Sequence, residues 1–282
     1  MPRIALISNP GSGSAGDVDV AGLIAGAGVD LQSFSIEQAA AAAGSGAERI
    51  VAAGGDGSIA PAAEAAAAAG VELAVVPAGT ANDFAARMGL PDEIESAVEV
   101  AVNGTGTRLV DLARIGQRPF VNVASIGLSP AAAGAAEDLK DKLGALAYTA
   151  GALRAATSEE PVRCRVECEG AELFEGEAWQ VMVGCTGAFG GGSRIEADAD
   201  DGRLDVVVIE GGSRAALVKH ALGLRAGAVE GQKGVRSRRC REVAVEGAGE
   251  LNVDGELVDC LEVGGERISF TVRPRAVTLV TG

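Results

Sequence analysis

Through the first ninety or so residues, short apolar runs alternate with segments in which small apolar residues recur at helical spacing. Arg3–Ser8 predicts a strand, 9–16 a glycine/serine loop and 17–26 a weak helix. A strand at 30–36, an alanine helix at 37–43, a strand at 49–53, a helix at 59–69 and a strand at 72–76 follow. Strands separated by helical segments of this length indicate βαβ units and a parallel sheet. Ligands of such open sheets bind beyond the carboxyl ends of the strands. The glycine-rich loops of this region all fall at those ends.

After a helix at 93–103 the texture changes. Thr107–Ile115 and 119–124 read as strands, 139–157 as a long helix, and from 162 onward strand-like stretches dominate. These are Val162–Cys168, 178–183, 204–209, 242–245, 251–253 and 268–272, interrupted by one helix at Arg214–Ala226. The pattern predicts an α/β domain over 1–115 and a β-rich domain over 116–272. The last segment, 275–280, is expected to return to the first domain, so that 273–282 completes it.

A chain of 282 residues, 48% hydrophobic, has material for two cores. Aromatics are only 3%, and the lone Trp179 and Tyr148 offer no base-stacking platform. A net charge of −15 argues against nucleic acid and against broad adsorption to anionic lipid. Five cysteines, Cys164, Cys168, Cys185, Cys240 and Cys260, show no metal-type pairing, and His220 is the single histidine. Reduced, mostly buried thiols are expected. Met1-Pro2-Arg3 runs straight into a strand, and no apolar run reaches the roughly 20 residues of a membrane span. The expectation is a cytoplasmic protein.

Three loops carry candidate chemistry. Gly54-Gly55-Asp56-Gly57-Ser58 breaks a buried strand into a helix, and glycines there let amide groups approach a ligand. Asp56 cannot bind phosphate itself, because like charges repel. It suits Mg²⁺, or water on Mg²⁺, beside a phosphate cradled by amides. Structurally, the same run could be a tight turn with Asp56 as a helix cap. Asn9-Pro10-Gly11-Ser12-Gly13 follows the first strand, with small residues and exposed amides but no Walker lysine. It reads equally as a flexible surface loop. Pro77-Ala78-Gly79-Thr80-Ala81-Asn82-Asp83 follows another strand, and Thr80, Asn82 or Asp83 could be a plain N-cap. Three such loops at neighbouring strand ends are harder to explain as caps.

These runs, in this order and spacing, resemble the diacylglycerol kinase catalytic-domain family, which includes soluble bacterial lipid kinases and sphingosine kinases. Gly190-Gly191-Gly192 followed by Asp201-Gly202-Arg203-Leu204-Asp205, and Asp254-Gly255-Glu256 near the C-terminus, extend the resemblance over nearly the whole chain. It implies an NAD kinase/diacylglycerol kinase-like α/β domain, a β-sandwich-like second domain and ATP-dependent phosphorylation of a lipid hydroxyl in the cleft between them. By motif match Asn9, Pro10, Gly11, Ser12, Gly13, Gly54, Gly55, Asp56, Gly57, Ser58, Gly79 and Thr80 would surround ATP. Asp56 would serve the nucleotide's Mg²⁺, Glu256 would be the general base, and Asp83 and Asp111 would support it from the cleft. A structural Mg²⁺ would lie at Asp201 with the carbonyl of Arg203 and Asp198. A turn residue in a hairpin is the bland reading of Glu256, and a solvated acidic turn that of Asp198 and Asp201.

The chain departs from the family pattern at Ser58, at Ala60-Pro61 and at Gly184-Cys185, where relatives more often carry threonine, Asn-Glu and an asparagine. Lys233, Arg236, Arg238, Arg239 and Arg241 crowd one short stretch. A contact for lipid headgroups or phosphates is one reading; a solvated edge strand guarded against pairing is favoured here. Kinase action on a soluble acceptor, as in NAD kinase, and a nucleotide-binding regulator without turnover are the alternatives. A transient, peripheral contact with the inner face of a membrane follows from a lipid substrate. A homodimer stays open, and the acceptor is not identified.

Overall fold

The computed structural model describes residues 1–8, 18–128, 160–247, 249–259 and 265–282. The first half alternates: β1 (Arg3–Ser8), α1 (Val20–Gly26), β2 (Asp30–Phe34), α2 (Ala39–Ala43), β3 (Arg49–Gly54), α3 (Asp56–Ala69) and β4 (Glu72–Pro77). Then come α4 (Asp83–Met88) and α5 (Ile94–Asn103). The strands lie in the order β2-β1-β3-β4, each neighbour parallel. Helices cover both faces, so the strands are apolar on both sides. Along β1, Ile4 and Leu6 pack with Ile24 of α1 and Ala97 of α5. Their neighbours Ala5 and Ile7 pack with Ala42 of α2 and Ala62 of α3. Alanines on α3 keep that helix close to the sheet.

The second half comprises β5 (Thr107–Ile115), β6 (Arg118–Phe120), β7 (Val123–Gly127), β8 (Val162–Cys168), β9 (Ala171–Gly184), β10 (Ala188–Phe189), β11 (Ser193–Arg194) and β12 (Leu204–Glu210). After α6 (Arg214–Ala226) follow β13 (Val235–Cys240), β14 (Glu242–Gly247), β15 (Glu250–Val253), β16 (Glu256–Val258) and β17 (Arg267–Val280). Its sandwich-like core joins Ile126, Val183 and Val206 to Val166, Val245 and Phe270. Phe120 meets Phe270 edge to face at 6.3 Å. α6 packs on the outside of this core through Leu217 and Leu224, against Trp179, Val207 and Ile209.

One ribbon ties the halves together. β17 pairs antiparallel with β14 through 267–271, then runs parallel to β4 at Thr278 and Leu279. β5 follows it antiparallel along both halves, with a register shift between Arg273 and Val277. Arg275 sits in that shift at φ 50°.

Several boundaries differ from the sequence expectation. The helix expected at 59–69 begins at Asp56, with Gly55 as its N-cap. The strand expected at 178–183 extends back to Ala171, because Glu169 and Gly170, both at positive φ, close a two-residue hairpin with β8. The run 119–124 divides into β6 and β7. Residues 268–272 and 275–280 form one strand, and 235–240 is a strand of its own. The helix expected at 139–157 lies outside the described residues, as do Asn9–Gly13 and Cys260. The four described cysteines are buried free thiols. Among the described residues no helix is long and apolar enough to cross a membrane.

Candidate functional site

The loops after β3 and β4 lie backbone against backbone. The Ala78 amide donates to the Gly54 carbonyl at 3.0 Å. A Cβ placed on Gly79 would come 2.4 Å from the Gly55 Cα, so glycine is required there where the two loops touch. Asn82, at φ 51°, closes the second loop on itself: its Oδ1 accepts from the Gly79 amide and its Nδ2 donates to the Gly79 carbonyl, both at 2.9 Å. That turns the Asn82 side chain away from the helix it precedes.

Asp56 takes over the vacated duty. Its carboxylate accepts from the amides of Asp83 and Phe84, at 3.0 and 2.9 Å. It therefore caps the first turn of α4, the next helix, rather than its own. Asn122 adds a third bond, Nδ2 to Asp56 Oδ1 at 2.9 Å. Two carboxylate oxygens offer about four acceptor positions, so one remains uncommitted. Ser58 turns inward, its hydroxyl donating to the Gly55 carbonyl at 2.6 Å, while Thr80 stays exposed.

Asp83 is buried and accepts from the amides of Gly191 and Gly192, at 3.0 and 3.1 Å. The glycine stretch 190–192 is thereby pinned beside α4. Burial raises the Asp83 carboxyl above its ordinary value, and the neighbouring Asp56 charge adds to the rise. Arg87 of the same helix donates to the carbonyls of Thr186 and Ala197.

The hairpin of β15 and β16 closes the site. Its turn, Asp254 at φ 50° and Gly255 at φ 94°, has both central residues left-handed, as a two-residue hairpin needs. Asp254 reaches back to accept from the amides of Val121, Asn122 and Val123 at 2.8, 2.8 and 3.1 Å. Those bonds break the expected strand 119–124 in two. Burial pushes the Asp254 carboxyl up to about 7. The next residue but one, Glu256, is exposed, and a Cβ on Gly57 would come 2.6 Å from its Oε1. Glu256 Oε2 is held at 2.5 Å by Arg118 of β6.

The structure thus brings Gly54–Ser58, Gly79, Asp83 and Glu256 to one place. Asp111 stands apart from them. Fully buried, it accepts from the amides of Gly202 and Arg275, both at 2.7 Å, and clamps the register shift of β17 to the 201–202 turn. Burial raises its carboxyl too. Asp201 accepts from the Arg203 amide at 2.9 Å and is paired with Arg239 at 3.2 Å, while Asp198 is exposed. Among the described residues no three His, Cys, Asp or Glu side chains are placed to hold a metal.

Arg118, Asn122 and Thr186 belong to the cluster and were not read from sequence, and Asp254 was read only as part of the Asp254-Gly255-Glu256 run. Asn122 is the hub: its Oδ1 accepts from Thr186 Oγ1 at 2.7 Å while its Nδ2 serves Asp56. An aspartate before a hairpin glycine was the one available signal for Asp254.

Two family models match the chain: the diacylglycerol kinase catalytic domain over residues 3–115 and the YegS C-terminal NAD kinase beta sandwich-like domain over residues 122–281. A diacylglycerol kinase of Bacillus subtilis is 31% identical over 215 residues, 73% of this chain and 70% of its own. A Pseudomonas aeruginosa protein named "Probable lipid kinase YegS-like" is 32% identical over 86% of this chain and 78% of its own. A crystal structure of a diacylglycerol kinase from Bacillus anthracis superposes with a TM-score of 0.71 at 22% identity, covering 99% of this chain and 97% of that one. An NAD kinase from Archaeoglobus fulgidus in complex with ATP shares the fold more distantly, with a TM-score of 0.52 at 12% identity, over 99% of this chain and 93% of its own.

Proposed function

Because the chain belongs to the diacylglycerol kinase and YegS-like family of lipid kinases, it is a phosphotransferase, and we propose that it transfers the γ-phosphate of ATP to the hydroxyl of a diacylglycerol-like or long-chain-base lipid. The observation that carries this reading is the contact of Glu256 with Gly57, which sets an exposed carboxylate against the amide-rich turn. In this reading 1–115, completed by 273–282, hold the nucleotide and 116–272 present the acceptor.

Gly54, Gly55, Gly57, Gly79 and Thr80 line the nucleotide, with Asn9–Gly13 after β1 as a further phosphate loop. ATP enters with Mg²⁺, which neutralises charge on the transferring group. Asp56, with its uncommitted acceptor position, is the residue that would hold that ion, directly or through water. Glu256 accepts the proton of the lipid hydroxyl as its oxygen attacks the γ-phosphorus and the bond to the β-phosphate oxygen breaks, releasing ADP. Arg118 holds Glu256 in place before substrate arrives. Asp83 acts through Gly191 and Gly192, positioning the loop rather than touching substrate.

The test is Mg²⁺-dependent transfer from γ-labelled ATP to a panel of lipid alcohols in mixed micelles. A labelled lipid formed by wild type and reduced about 10²–10⁴-fold in Glu256→Gln is expected. ATP binding without any labelled lipid would move the reading to a soluble acceptor or a regulator. Equal labelling by both proteins would leave the kinase and remove Glu256 as its base.

A further inference from the structure

The glycine loops are short of positive charge. None of the runs 9–13, 54–58 and 77–83 contains a lysine or an arginine. Asp56 caps the helix that Asp83 begins, Asn122 links Asp56 to Asp254, and Glu256 lies against Gly57. A nucleotide arriving there adds negative charge to a cluster of carboxylates. The first amides of α3 answer part of that charge, since a helix leaves them without intrahelical acceptors and Gly55 supplies no side-chain cap.

Arg118 of β6 is the cation placed to answer more of it. Its Nη2 donates to Glu256 Oε2 at 2.5 Å, and the other oxygen of that carboxylate, Oε1, is the atom a Cβ on Gly57 would strike. One carboxyl group therefore separates the guanidinium from the first turn of α3. Glu256 is the one hydrogen-bond partner of Arg118 among the described residues, so most donors of its fork are uncommitted. Arg87, by contrast, is turned to the carbonyls of Thr186 and Ala197. The Arg118 side chain is 38% exposed, open to a ligand, while its backbone is fixed. Arg118 pairs with Ile115 of β5, Phe120 is fully buried, and Asp254 holds the amides that follow. An ion pair as exposed as this one adds little stability, so its placement against the glycine turn is what calls for an account.

We infer that Arg118 is a catalytic residue of the transfer, part of its guanidinium holding Glu256 and the rest contacting the γ-phosphate of bound ATP. The inference rests on the lipid-kinase reading of this site, with Glu256 as its base. Arg118 exchanges no proton, because a guanidinium stays charged. As the lipid oxygen attacks phosphorus and the bond to the β-phosphate oxygen breaks, the planar fork meets the γ-phosphate oxygens. It supplies positive charge that a P-loop takes from its lysine. Gripping base and phosphate together also fixes the line along which the hydroxyl approaches.

The experiment is calorimetric titration of ATP and of ADP, each with Mg²⁺, into the full-length wild type, Arg118→Gln, Glu256→Gln and the double variant. Arg118→Gln weakens ATP about tenfold or more and ADP by no more than about twofold, since ADP lacks the phosphate that is contacted. The same loss of ATP affinity appears in the Glu256→Gln background, where no carboxylate is left for Arg118 to hold. Arg118→Lys keeps a positive charge and recovers part of the ATP affinity. An unchanged melting curve verifies the fold of each variant. Equal ATP affinity in wild type and Arg118→Gln overturns the inference and leaves Glu256 as the base. A loss shared equally by ADP overturns it as well. So does an effect that vanishes once Glu256 is replaced, which assigns Arg118 to positioning alone. Labelling of a lipid alcohol by wild type, followed in parallel, reports on the kinase reading independently, because the titrations contain no acceptor.

Discussion

Asp254 shows how much one side chain can organise. Three backbone amides, those of Val121, Asn122 and Val123, have this carboxylate as their acceptor. Replacing it by alanine strands those donors and puts a Cβ residue without a compensating side chain at positive φ. Asp254→Ala is expected to lose about 2–4 kcal/mol in urea titration. The sign of its pH dependence follows from the raised value. Asp254 binds its proton more tightly folded than unfolded, so its contribution is complete below about 3.8 and lost as pH rises through about 7. Between those limits wild-type stability should carry a downward component that the variant lacks, and the gap between them should narrow toward pH 8. Asp56, Asp83 and Glu256 were legible because each sits in a motif whose neighbours are adjacent in sequence. Asn122 and Arg118 were not: Asn122 meets Asp56 across 66 positions and Arg118 meets Glu256 across 138. Nothing local marks either residue.

At the scale of elements, two glycines separate binding from chemistry. A side chain on Gly79 would strike the backbone of Gly55, and neither loop can yield without leaving its strand end. Gly79→Ala should therefore weaken ATP binding at least about tenfold, a change of about 1.4 kcal/mol, measured by calorimetric titration. A side chain on Gly57 would strike only the far end of Glu256. Gly57→Ala should displace that carboxylate, lowering kcat by more than it weakens ATP binding. The βαβ elements of the first half were legible because both sheet faces are buried and the helices are alanine-rich. β9 was harder to bound, since its first half, Ala-Glu-Leu-Phe-Glu-Gly-Glu, breaks the alternation with a Leu-Phe pair and a glycine, and its turn, Glu169-Gly170, is not a usual hairpin pair. β13 reads as arginine and serine, and the solvated edge strand expected there is what forms, paired only with β12 among the described strands.

Across the whole molecule, β5 and β17 belong to both halves. They pair with each other from the sandwich to the parallel sheet, and Asp111 holds their register shift to the 201–202 turn. Unfolding one half would tear the ribbon that the other depends on. Calorimetry should show one cooperative transition, moved upward by ATP as binding to the native state requires. Two resolved transitions would contradict the shared ribbon. Sequence pattern separated an α/β part from a β-rich part, but it presented the last strand as two pieces, because the shift at Arg275 interrupts the alternation.

Glu256, set against Gly57, is the carboxylate proposed to meet a nucleotide bound on the glycine loops. The most direct measurement is kcat together with the ATP dissociation constant for wild type and Glu256→Gln, with the lipid alcohol that wild type labels best. A fall in kcat of about a hundredfold or more, with ATP affinity within about twofold of wild type, is the predicted result. An unchanged kcat would contradict it, and so would a loss of activity matched by an equal loss of ATP affinity.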